Sequence, residues 1–292
     1  MKILITGGSG FIGRNLVEKL RDIHEISAPS HSELELLDTE AVEDYFKNHK
    51  FDFVIHSAVR PGHRNAKDPS NQLYNNLRMF FNIIRNKGSF GRMIFLSSGA
   101  VYDVSRALVK VREDDFDRYV PSDEHGFSKY IIAKHIEKID NVIELRIFGI
   151  FGKYEDYAIR FISNAICRAI FELPVTLKQN RKFDYVYIDD LLRVVEYFLQ
   201  NKPEHKAYNL TPGQPIELLN IAKKVKEISG KDLPVIVSNK GMGFEYSGDC
   251  TRLKKEIKNF KITTLDSAIK ELYQWYCENK SLLKKDLLLV DK

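Results

Sequence analysis

The 292-residue chain predicts an α/β fold, with a doubly wound parallel sheet and a smaller C-terminal α/β lobe. Three observations lead to this prediction. A glycine-rich turn joins a β-like run to a helical pattern at the start of the chain. Short apolar runs then alternate with helical patterns as far as Gly152, as they do in consecutive βαβ units. Beyond Gly152 the alternation loosens, which indicates a second and less regular unit.

The alternation in the first half defines the elements of the parallel sheet. Strands are expected at 2–5, 25–28, 53–57, 93–97 and 142–146. Helices are expected at 10–21, 39–47, 70–86, 128–139 and 157–171, with Asp38 or Thr39 as the cap of the second helix. Because a helix separates each strand from the next, these strands should run parallel in one sheet.

The second half carries strand patterns at 173–177 and 185–188 and helix patterns at 189–200, 216–228 and 265–278. The stretch 230–248 between the last two helices bears several glycines. We expect one domain of residues 1–152 plus about 183–203, and a substrate lobe of about 153–182 and 204–292. The lobe should lie over the carboxyl ends of the parallel strands, where ligands bind in open α/β sheets.

Composition excludes several classes of function. Hydrophobic residues make up 43% and charged residues 29% of the chain, as in an ordinary globular protein. The net charge of +5 is too mild for a nucleic-acid partner but suits a small anionic ligand. Cys167, Cys250 and Cys277 lie far apart, which disfavours a metal site and disulfides. Without an apolar run near ~18 residues or a signal peptide, we expect a cytoplasmic protein with no membrane partner.

The glycine-rich turn is the strongest single motif. The first strand leads into Thr6-Gly7-Gly8-Ser9-Gly10-Phe11-Ile12-Gly13, a G-x-x-G-x-x-G pattern that opens a helix. Its glycines permit a tight turn, a close approach of backbone to a pyrophosphate, and close packing of helix on strand. The backbone N–H groups at the start of the helix, around Phe11 and Ile12, offer donors to phosphate. The motif therefore predicts a Rossmann domain that binds a dinucleotide.

Further motifs follow in order along the chain. They are Leu36-Leu37-Asp38, Ile55-His56-Ser57-Ala58, Asn76 with Asn82, and the segments 95–102, 125–129, 145–152, 184–190 and 208–210. Together with the glycine turn they resemble the extended short-chain dehydrogenase/reductase family, in its branch of nucleotide-sugar epimerases, dehydratases and 4-keto reductases. The resemblance covers nearly the whole chain. It implies a nicotinamide cofactor and a nucleotide-sugar substrate.

The resemblance implies where the cofactor binds. Asp38 takes the place of the acid that bonds the adenine amino group, Ser57 and Ala58 end the strand beside the cofactor, and Asn76 stands on the helix that follows.

The choice between NAD and NADP depends on the loop after the second strand. An acid there would bond the ribose hydroxyls of NAD. The segment Ser27-Ala28-Pro29-Ser30-His31-Ser32 has none, and the first acid is Glu33. Arg14, just past the glycine motif, is a candidate to hold a 2′-phosphate, with Ser30 and His31 as further cofactor contacts. The sequence therefore favours NADP(H) over NAD(H).

The resemblance also implies the catalytic residues. Ser98 takes the place of the Ser or Thr that bonds the reacting oxygen, and Lys129 that of the lysine beside a catalytic phenol. The phenol position holds His125 instead. A second Y-x-x-x-K, Tyr130 and Lys134, lies five residues further along the helix, and ~7.5 Å of rise with ~140° of rotation should turn it away. Three interpretations stay open: His125 relays the proton, another acid does, or the protein is redox-silent.

The residues that follow Ser98 exclude one of the family's reactions. The family's dehydratases have an acid pair, or an acid and a lysine, where this chain has Gly99 and Ala100, which can neither give nor take a proton. This leaves 4-keto reduction or 4-epimerisation. A 3,5-epimerisation would need another acid/base pair, for which His63 and Asp103 are candidates.

Candidate substrate contacts come from the same comparison. Phe183 replaces an arginine that bonds nucleotide phosphates in many relatives, so Arg181 and Arg252 are candidates for that contact, with Tyr187 as a further one. By analogy with the family we expect a homodimer through the helices at 70–86 and 128–139. The competing function is a redox-silent dinucleotide sensor or scaffold of the same fold.

Overall fold

A computed structural model describes residues 1–62, 65 and 69–290. In chain order its strands and α-helices are β1 Lys2–Thr6, α1 Phe11–Leu20, β2 Glu25–Ser27, α2 Thr39–Asn48, β3 Phe51–His56, α3 Gln72–Ile84, β4 Phe90–Ser98, β5 Leu108–Val111, α4 Glu124–Ile136, β6 Val142–Ile147, β7 Ile150–Phe151, α5 Phe161–Ile170, β8 Val175–Asn180, β9 Lys182–Phe183, β10 Val186–Tyr187, α6 Ile188–Gln200, β11 Ala207–Leu210, β12 Ile216–Glu217, α7 Leu218–Ser229, β13 Val235–Met242, β14 Tyr246–Gly248, α8 Thr251–Glu256, α9 Leu265–Glu278 and α10 Asp286–Leu289. Within this described part of the chain, no helix is long and apolar enough to cross a membrane.

A six-stranded parallel sheet forms the centre of the molecule, in the order β11-β6-β4-β3-β1-β2. Ile5 of β1 lies beside Ile55 of β3, and β6 is buried along its whole length. Such continuous burial is typical of parallel sheets covered on both faces. β2, the next strand in the chain, pairs with one edge of β1, and β3 pairs with the other edge. A crevice therefore opens between the carboxyl ends of β1 and β3.

Helices cover both faces of this sheet. Ile3 and Ile5 share one apolar cluster with Leu16 of α1, whereas Leu4 shares another with Phe46 of α2. Successive residues of a strand point to opposite faces, so the two clusters are the two sides of the sheet. This confirms the predicted doubly wound Rossmann fold.

The C-terminal lobe is built on smaller sheets, and two of its boundaries differ from the expected division. β12, β9, β14 and β5 form a four-stranded sheet, and β13 pairs in parallel with β8. β11 lies beyond the expected boundary at about 203 yet pairs with β6 in the central sheet. β5 lies within the expected first domain yet joins the lobe by pairing with β14. The chain thus crosses between the two units more often than its sequence pattern indicates.

The helix that carries His125 begins earlier than expected. α4 starts at Glu124 instead of 128, because the Asp123 carboxylate accepts a hydrogen bond from the Gly126 N–H at 2.8 Å and caps the helix. His125 and Lys129 therefore lie one turn apart on the same helix, as a proton-relay pair requires.

Candidate active site

The turn after β1 keeps its shape through two of the three motif glycines. Gly7 has a φ of 70°, in the left-handed region, and a Cβ there would lie 2.8 Å from the Cα of Ala58. A Cβ on Gly13 would lie 2.0 Å from the carbonyl oxygen of Gly7. On Gly10 it would approach only that same oxygen among the described atoms, at 3.3 Å. Gly7 and Gly13 therefore serve the fold, whereas a Cβ on Gly10 would make one tight contact and meet no other described atom within 4 Å.

Gly10 is also the N-cap of α1. Among the described residues no side chain caps this helix, and its first turn, from Phe11, contains no acid. The N-terminus of a helix presents N–H donors and the positive end of the helix dipole. The open position at Gly10 and the uncapped helix thus fit the pyrophosphate of a dinucleotide.

The loop after β2 folds around the carboxylate of Glu33. This carboxylate accepts hydrogen bonds from the N–H and the hydroxyl of Ser30, at 2.7 and 2.8 Å, which lower the pKa of Glu33. Asp38 caps α2, since its Oδ1 accepts bonds from two N–H groups in the first turn of that helix. Glu33, the first acid after β2, thus stands beside Ser30. Its position matters for the choice between NAD and NADP.

Arg14 and His31, also expected to hold the cofactor, have acidic neighbours. The Arg14 guanidinium stacks 3.7 Å from the centre of the Tyr154 ring, and its Nε lies 3.4 Å from a carboxylate oxygen of Glu18. The Nδ1 of His31 lies 3.4 Å from a carboxylate oxygen of Glu35. About half of the Arg14 side chain stays exposed (54%), so it remains accessible to an anion.

Short polar contacts hold the end of β3. The buried His56 places its Nδ1 2.7 Å from the hydroxyl of Thr6, and Ser57 donates to the Thr6 carbonyl oxygen at 2.7 Å. Burial and a nearby lysine lower the pKa of His56 to about 3, so its ring is neutral. Asn76 accepts the Arg60 N–H at 2.7 Å. Asn76 thus holds the backbone at Arg60, a few residues after the end of β3.

Ser98 and Lys129 meet near the carboxyl end of β4. Ser98 is the last residue of that strand, and its hydroxyl oxygen accepts the Ala100 N–H at 3.2 Å. The buried Lys129 donates to the Leu96 carbonyl oxygen at 3.2 Å, with its Nζ 4.5 Å from the centre of the Phe95 ring. Burial lowers the pKa of Lys129 to about 8, against the opposing effect of a buried carboxylate. Both predicted catalytic residues therefore lie at the last three residues of β4, Ser98 within the strand and Lys129 bonded to Leu96.

His125 is partly exposed, one helical turn before Lys129. Burial, assisted by Lys129 and Arg160 and opposed by Asp123, lowers the pKa of His125 to about 4. The sequence predicts this direction from Lys129 alone, whereas burial is the larger cause. At pH 7 only about one imidazole in 10³ would carry a proton. His125 is therefore a neutral hydrogen-bonding group and a poor source of protons.

The second Y-x-x-x-K faces away from this site, as expected. The Tyr130 hydroxyl donates to one oxygen of Asp117, and Lys134 donates to the other at 2.9 Å. The Tyr130 ring packs beside Phe116, with 5.4 Å between ring centres. Both rings also pack against a buried apolar cluster that includes Val101 and Tyr102, while Asp117 engages the polar ends of Tyr130 and Lys134.

The three candidate substrate residues lie in different surroundings in the structure. Arg181 is half-buried, with its guanidinium 4.9 Å from the centre of the Phe183 ring. Arg252 is instead held by the carboxylates of residues 113 and 114, at 3.8 and 2.6 Å. Tyr187 is a core residue, whose hydroxyl donates to a glutamate of α9 at 3.0 Å. The hydroxyl of Tyr187 thus has a partner within the protein, and its expected substrate contact stays a prediction.

Of the two candidates for an additional acid/base pair, only Asp103 lies among the described residues. Asp103 is buried with a φ of 71°, and its carboxylate accepts bonds from the hydroxyl of Ser105 at 2.6 Å and from Arg106 at 3.0 Å. These contacts make it a turn-forming residue. His63 lies outside the described residues.

The sequence analysis missed Tyr246. This residue opens β14, within the stretch expected only to link two helices. A Cβ on Gly99, the residue after Ser98, would lie 2.5 Å from the Tyr246 hydroxyl oxygen. The lobe thus brings a phenol to the end of β4. A three-residue strand has no periodicity from which this could have been predicted.

The sheet, the glycine turn at its crevice and the Ser98–Lys129 pair define a Rossmann-type protein of the extended short-chain dehydrogenase/reductase class. The chain belongs to the NAD dependent epimerase/dehydratase family, whose sequence model matches residues 3–211.

Known relatives of this chain are nucleotide-sugar enzymes. GDP-L-colitose synthase of Yersinia pseudotuberculosis is 24% identical over 96% of this chain and 99% of that protein. UDP-glucose 4-epimerase of Bacillus subtilis (strain 168) is 24% identical over 96% and 98%. Among solved structures, MlghC, the GDP-mannoheptose C4 reductase from Campylobacter jejuni with NADP bound, is similar with a TM-score of 0.81 and 23% identity, over 94% of this chain and 98% of that one. These proteins share a substrate class and differ in reaction.

Proposed function

We propose that this protein is an NAD(P)-dependent nucleotide-sugar oxidoreductase of the 4-keto reductase or 4-epimerase type. The observation that carries the proposal is the position of Ser98 and Lys129 at the same carboxyl edge of the sheet as the glycine turn. The relatives named above are a GDP-sugar synthase, a UDP-sugar epimerase and a GDP-sugar reductase, which supports the substrate class.

Each part of the site has a role in this proposal. The start of α1 and the open position at Gly10 bind the pyrophosphate, and the nicotinamide, when bound, supplies or accepts a hydride. Lys129 holds the nicotinamide ribose. The Ser98 hydroxyl donates a hydrogen bond to the reacting oxygen of the sugar, which stabilises negative charge as it develops there. Arg181 is placed to contact a phosphate of the nucleotide.

Reduction or epimerisation at C4 fits this site better than dehydration. Elimination of water needs a group that removes a proton from the carbon beside the carbonyl. Gly99 and Ala100, buried after Ser98, offer none, and Asp103 is engaged in its own turn. We therefore expect no 4,6-dehydratase activity.

We propose NADP(H) as the preferred cofactor. The half-exposed guanidinium of Arg14 supports this preference, and the NADP in the MlghC structure is consistent with it. The Glu33 carboxylate works against it, because its negative charge stands beside Ser30.

A redox-silent dinucleotide-binding protein is the second candidate. The replacement of the usual phenol by His125 favours it: burial and the neighbouring Lys129 lower the pKa of the imidazole to about 4, so little of it is protonated at neutral pH. The Tyr246 hydroxyl beside Ser98, with the charge of Arg181 acting on it, favours the enzyme, since a cofactor sensor needs no sugar pocket.

A thermal-shift screen separates the two candidates. The protein, saturated with NADP(H), is titrated with UDP-, GDP-, ADP- and dTDP-hexoses and with the matching nucleoside diphosphates. A ligand at a hundred times its Kd stabilises the folded state by about 2.7 kcal/mol. Stabilisation by one nucleotide sugar beyond its diphosphate supports the enzyme. A response to the dinucleotide alone supports the redox-silent protein.

We further propose a homodimer through α3 and α4. These helices pack against each other, and α3 exposes the rings of Tyr74 and Phe81, by 60% and 36%. Light scattering should give twice the chain mass of 33.9 kDa. Replacement of both aromatic residues by lysine should return the mass to that of one chain, and a monomeric parent protein would exclude this interface.

A further inference from the structure

The ring of Tyr246 is held in place by aromatic neighbours. Its centre lies 5.0 Å from that of Phe148 and 4.7 Å from that of Phe183. Its backbone carbonyl oxygen accepts the Asp184 N–H at 2.9 Å, within the strand pairing of the lobe. Packing on two rings fixes the position of the hydroxyl, which is what a group that transfers a proton requires.

Gly99 gives this hydroxyl room to approach β4. A Cβ there would lie 2.5 Å from the Tyr246 oxygen and 2.7 Å from the Phe148 ring, closer than real Cβ contacts. Any other residue would push the phenol away from Ser98. Gly99, which stands where a dehydratase has an acid, therefore leaves room for the Tyr246 phenol from the lobe.

Charges and dipoles around the hydroxyl suit a proton donor. Burial raises the pKa of Tyr246 to about 12, whereas the Ser98 hydroxyl, Arg181 and the Gly99 N–H lower it and Asp184 raises it. The phenol is protonated at neutral pH, so it has a proton to give. An alkoxide is a stronger base than a phenolate, so transfer to it is downhill. The groups that lower the pKa would stabilise the tyrosinate that remains.

We propose that Tyr246 is the proton donor of this site, in place of the phenol absent from position 125. This assignment rests on the function proposed above. A reduced nicotinamide, when bound, would supply a hydride and its electron pair to the sugar carbonyl carbon. The O–H bond of Tyr246 would then break, and its proton would pass to the carbonyl oxygen to complete the alcohol. The tyrosinate then takes a proton from water. Ser98 donates a hydrogen bond to the same oxygen, and His125 acts only as a neutral neighbour.

Single-turnover kinetics with a matched variant tests the proposal. Tyr185 is the control, because its ring lies in the same aromatic cluster, 4.8 Å from Phe183. With NADPH and nucleotide-linked 4-keto-6-deoxyhexoses, Tyr246→Phe should slow reduction about 10²–10⁴-fold, the usual effect of losing a general acid. Tyr185→Phe should stay within a factor of a few, and both variants should keep the parental Kd for NADPH. A parental rate in Tyr246→Phe, or an equal loss in both variants, would overturn the assignment.

A second measurement needs no turnover. With tyrosine labelled by ¹³C at Cζ, the resonance of Tyr246 is the one that Tyr246→Phe removes. Ser98→Ala should shift this resonance, whereas Ser105→Ala should not. An unmoved resonance would refute the Ser98–Tyr246 contact and with it the proposal. A parent protein that turns over no nucleotide sugar would instead refute the proposed function, so the two failures are distinguishable.

Discussion

The Cβ position of Gly13 lies only 2.0 Å from the carbonyl oxygen of Gly7, so the start of α1 and the turn after β1 touch backbone to backbone. A Cβ on Gly10, which lies between them in sequence, would be 3.3 Å from the same oxygen. One motif therefore contains two glycines that the fold requires, and a third for which we propose a contact with the cofactor.

Substitution should separate these roles. Gly10→Val should lower the affinity for NAD(H) and NADP(H) at least tenfold, because the side chain would occupy the space of the pyrophosphate. The melting temperature should stay near that of the parent. Gly13→Ala is the matched change and should cost about 1–3 kcal/mol or more of stability through overpacking. Calorimetric titration and thermal unfolding measure both effects. A folded Gly10→Val protein with parental affinities would show that the cofactor assignment is wrong.

The Glu33 carboxylate should determine how much the affinities for NADP(H) and NAD(H) differ. We expect the parent to bind NADP(H) more tightly than NAD(H). Glu33→Gln should strengthen NADP(H) binding a few-fold and leave NAD(H) nearly unchanged, since a negative charge beside Ser30 repels a 2′-phosphate. Titration of both cofactors into both proteins checks this. Tighter binding of NAD(H) by the parent would reverse the preference.

A buried ion pair beneath the site should dominate the stability of its surroundings. Arg146 donates to Glu144 and to the Tyr102 hydroxyl, each at 2.9 Å, with both charged side chains almost fully buried. Arg146→Met should cost about 3–5 kcal/mol in urea unfolding, because it leaves a buried carboxylate without its partner. The exposed pair of Lys47 and Asp44 is the control, and Lys47→Met should have no measurable effect. Equal effects of the two substitutions would contradict this account.

Acid should destabilise the protein through His125 and His56. Their pKa values in the folded state, about 4 and about 3, lie below the ordinary value of 6.5. Below pH 6.5 the unfolded chain therefore binds more protons, so stability falls as the pH falls from 6.5 towards 4. His125→Phe should make the slope between pH 6.5 and 5 shallower, by up to about 1.4 kcal/mol per pH unit. Urea unfolding over a pH series measures the slope. Identical slopes in parent and variant would mean that His125 titrates normally.

The sequence predicts the part of the site that belongs to the central sheet. β1 carries an apolar run that leads directly into the glycine turn containing Gly10, and the resemblance of residues 95–102 to the family's motif implies Ser98. The lobe is different, because β5 and β14 are short strands that pair across more than a hundred residues. Tyr246 comes to Gly99 only through that pairing, which no local pattern encodes. Tyr187 shows the converse, since its motif is recognisable but only packing decides that its ring enters the core.

α4 starts four residues before the predicted start at 128, for a local reason. Gly126 disfavours a helix interior by roughly 1 kcal/mol relative to alanine, so its residue type does not predict the earlier start. The hydrogen bond from the Gly126 N–H to the Asp123 carboxylate turns this residue into part of a capped first turn. The cap places His125 inside the helix.

The most direct test of the central claim is deuterium transfer from NADPH labelled at C4 of the nicotinamide to a nucleotide-linked 4-keto-6-deoxyhexose. Mass spectrometry and NMR of the product locate the label, and UDP-glucose with NAD serves as the parallel assay for epimerisation at C4. We predict deuterium at C4 of the sugar or a C4 epimer, at a rate that Lys129→Met lowers about 10²-fold or more. A protein that binds the dinucleotide tightly, yet transfers no deuterium and forms no epimer with any nucleotide sugar, would contradict the account.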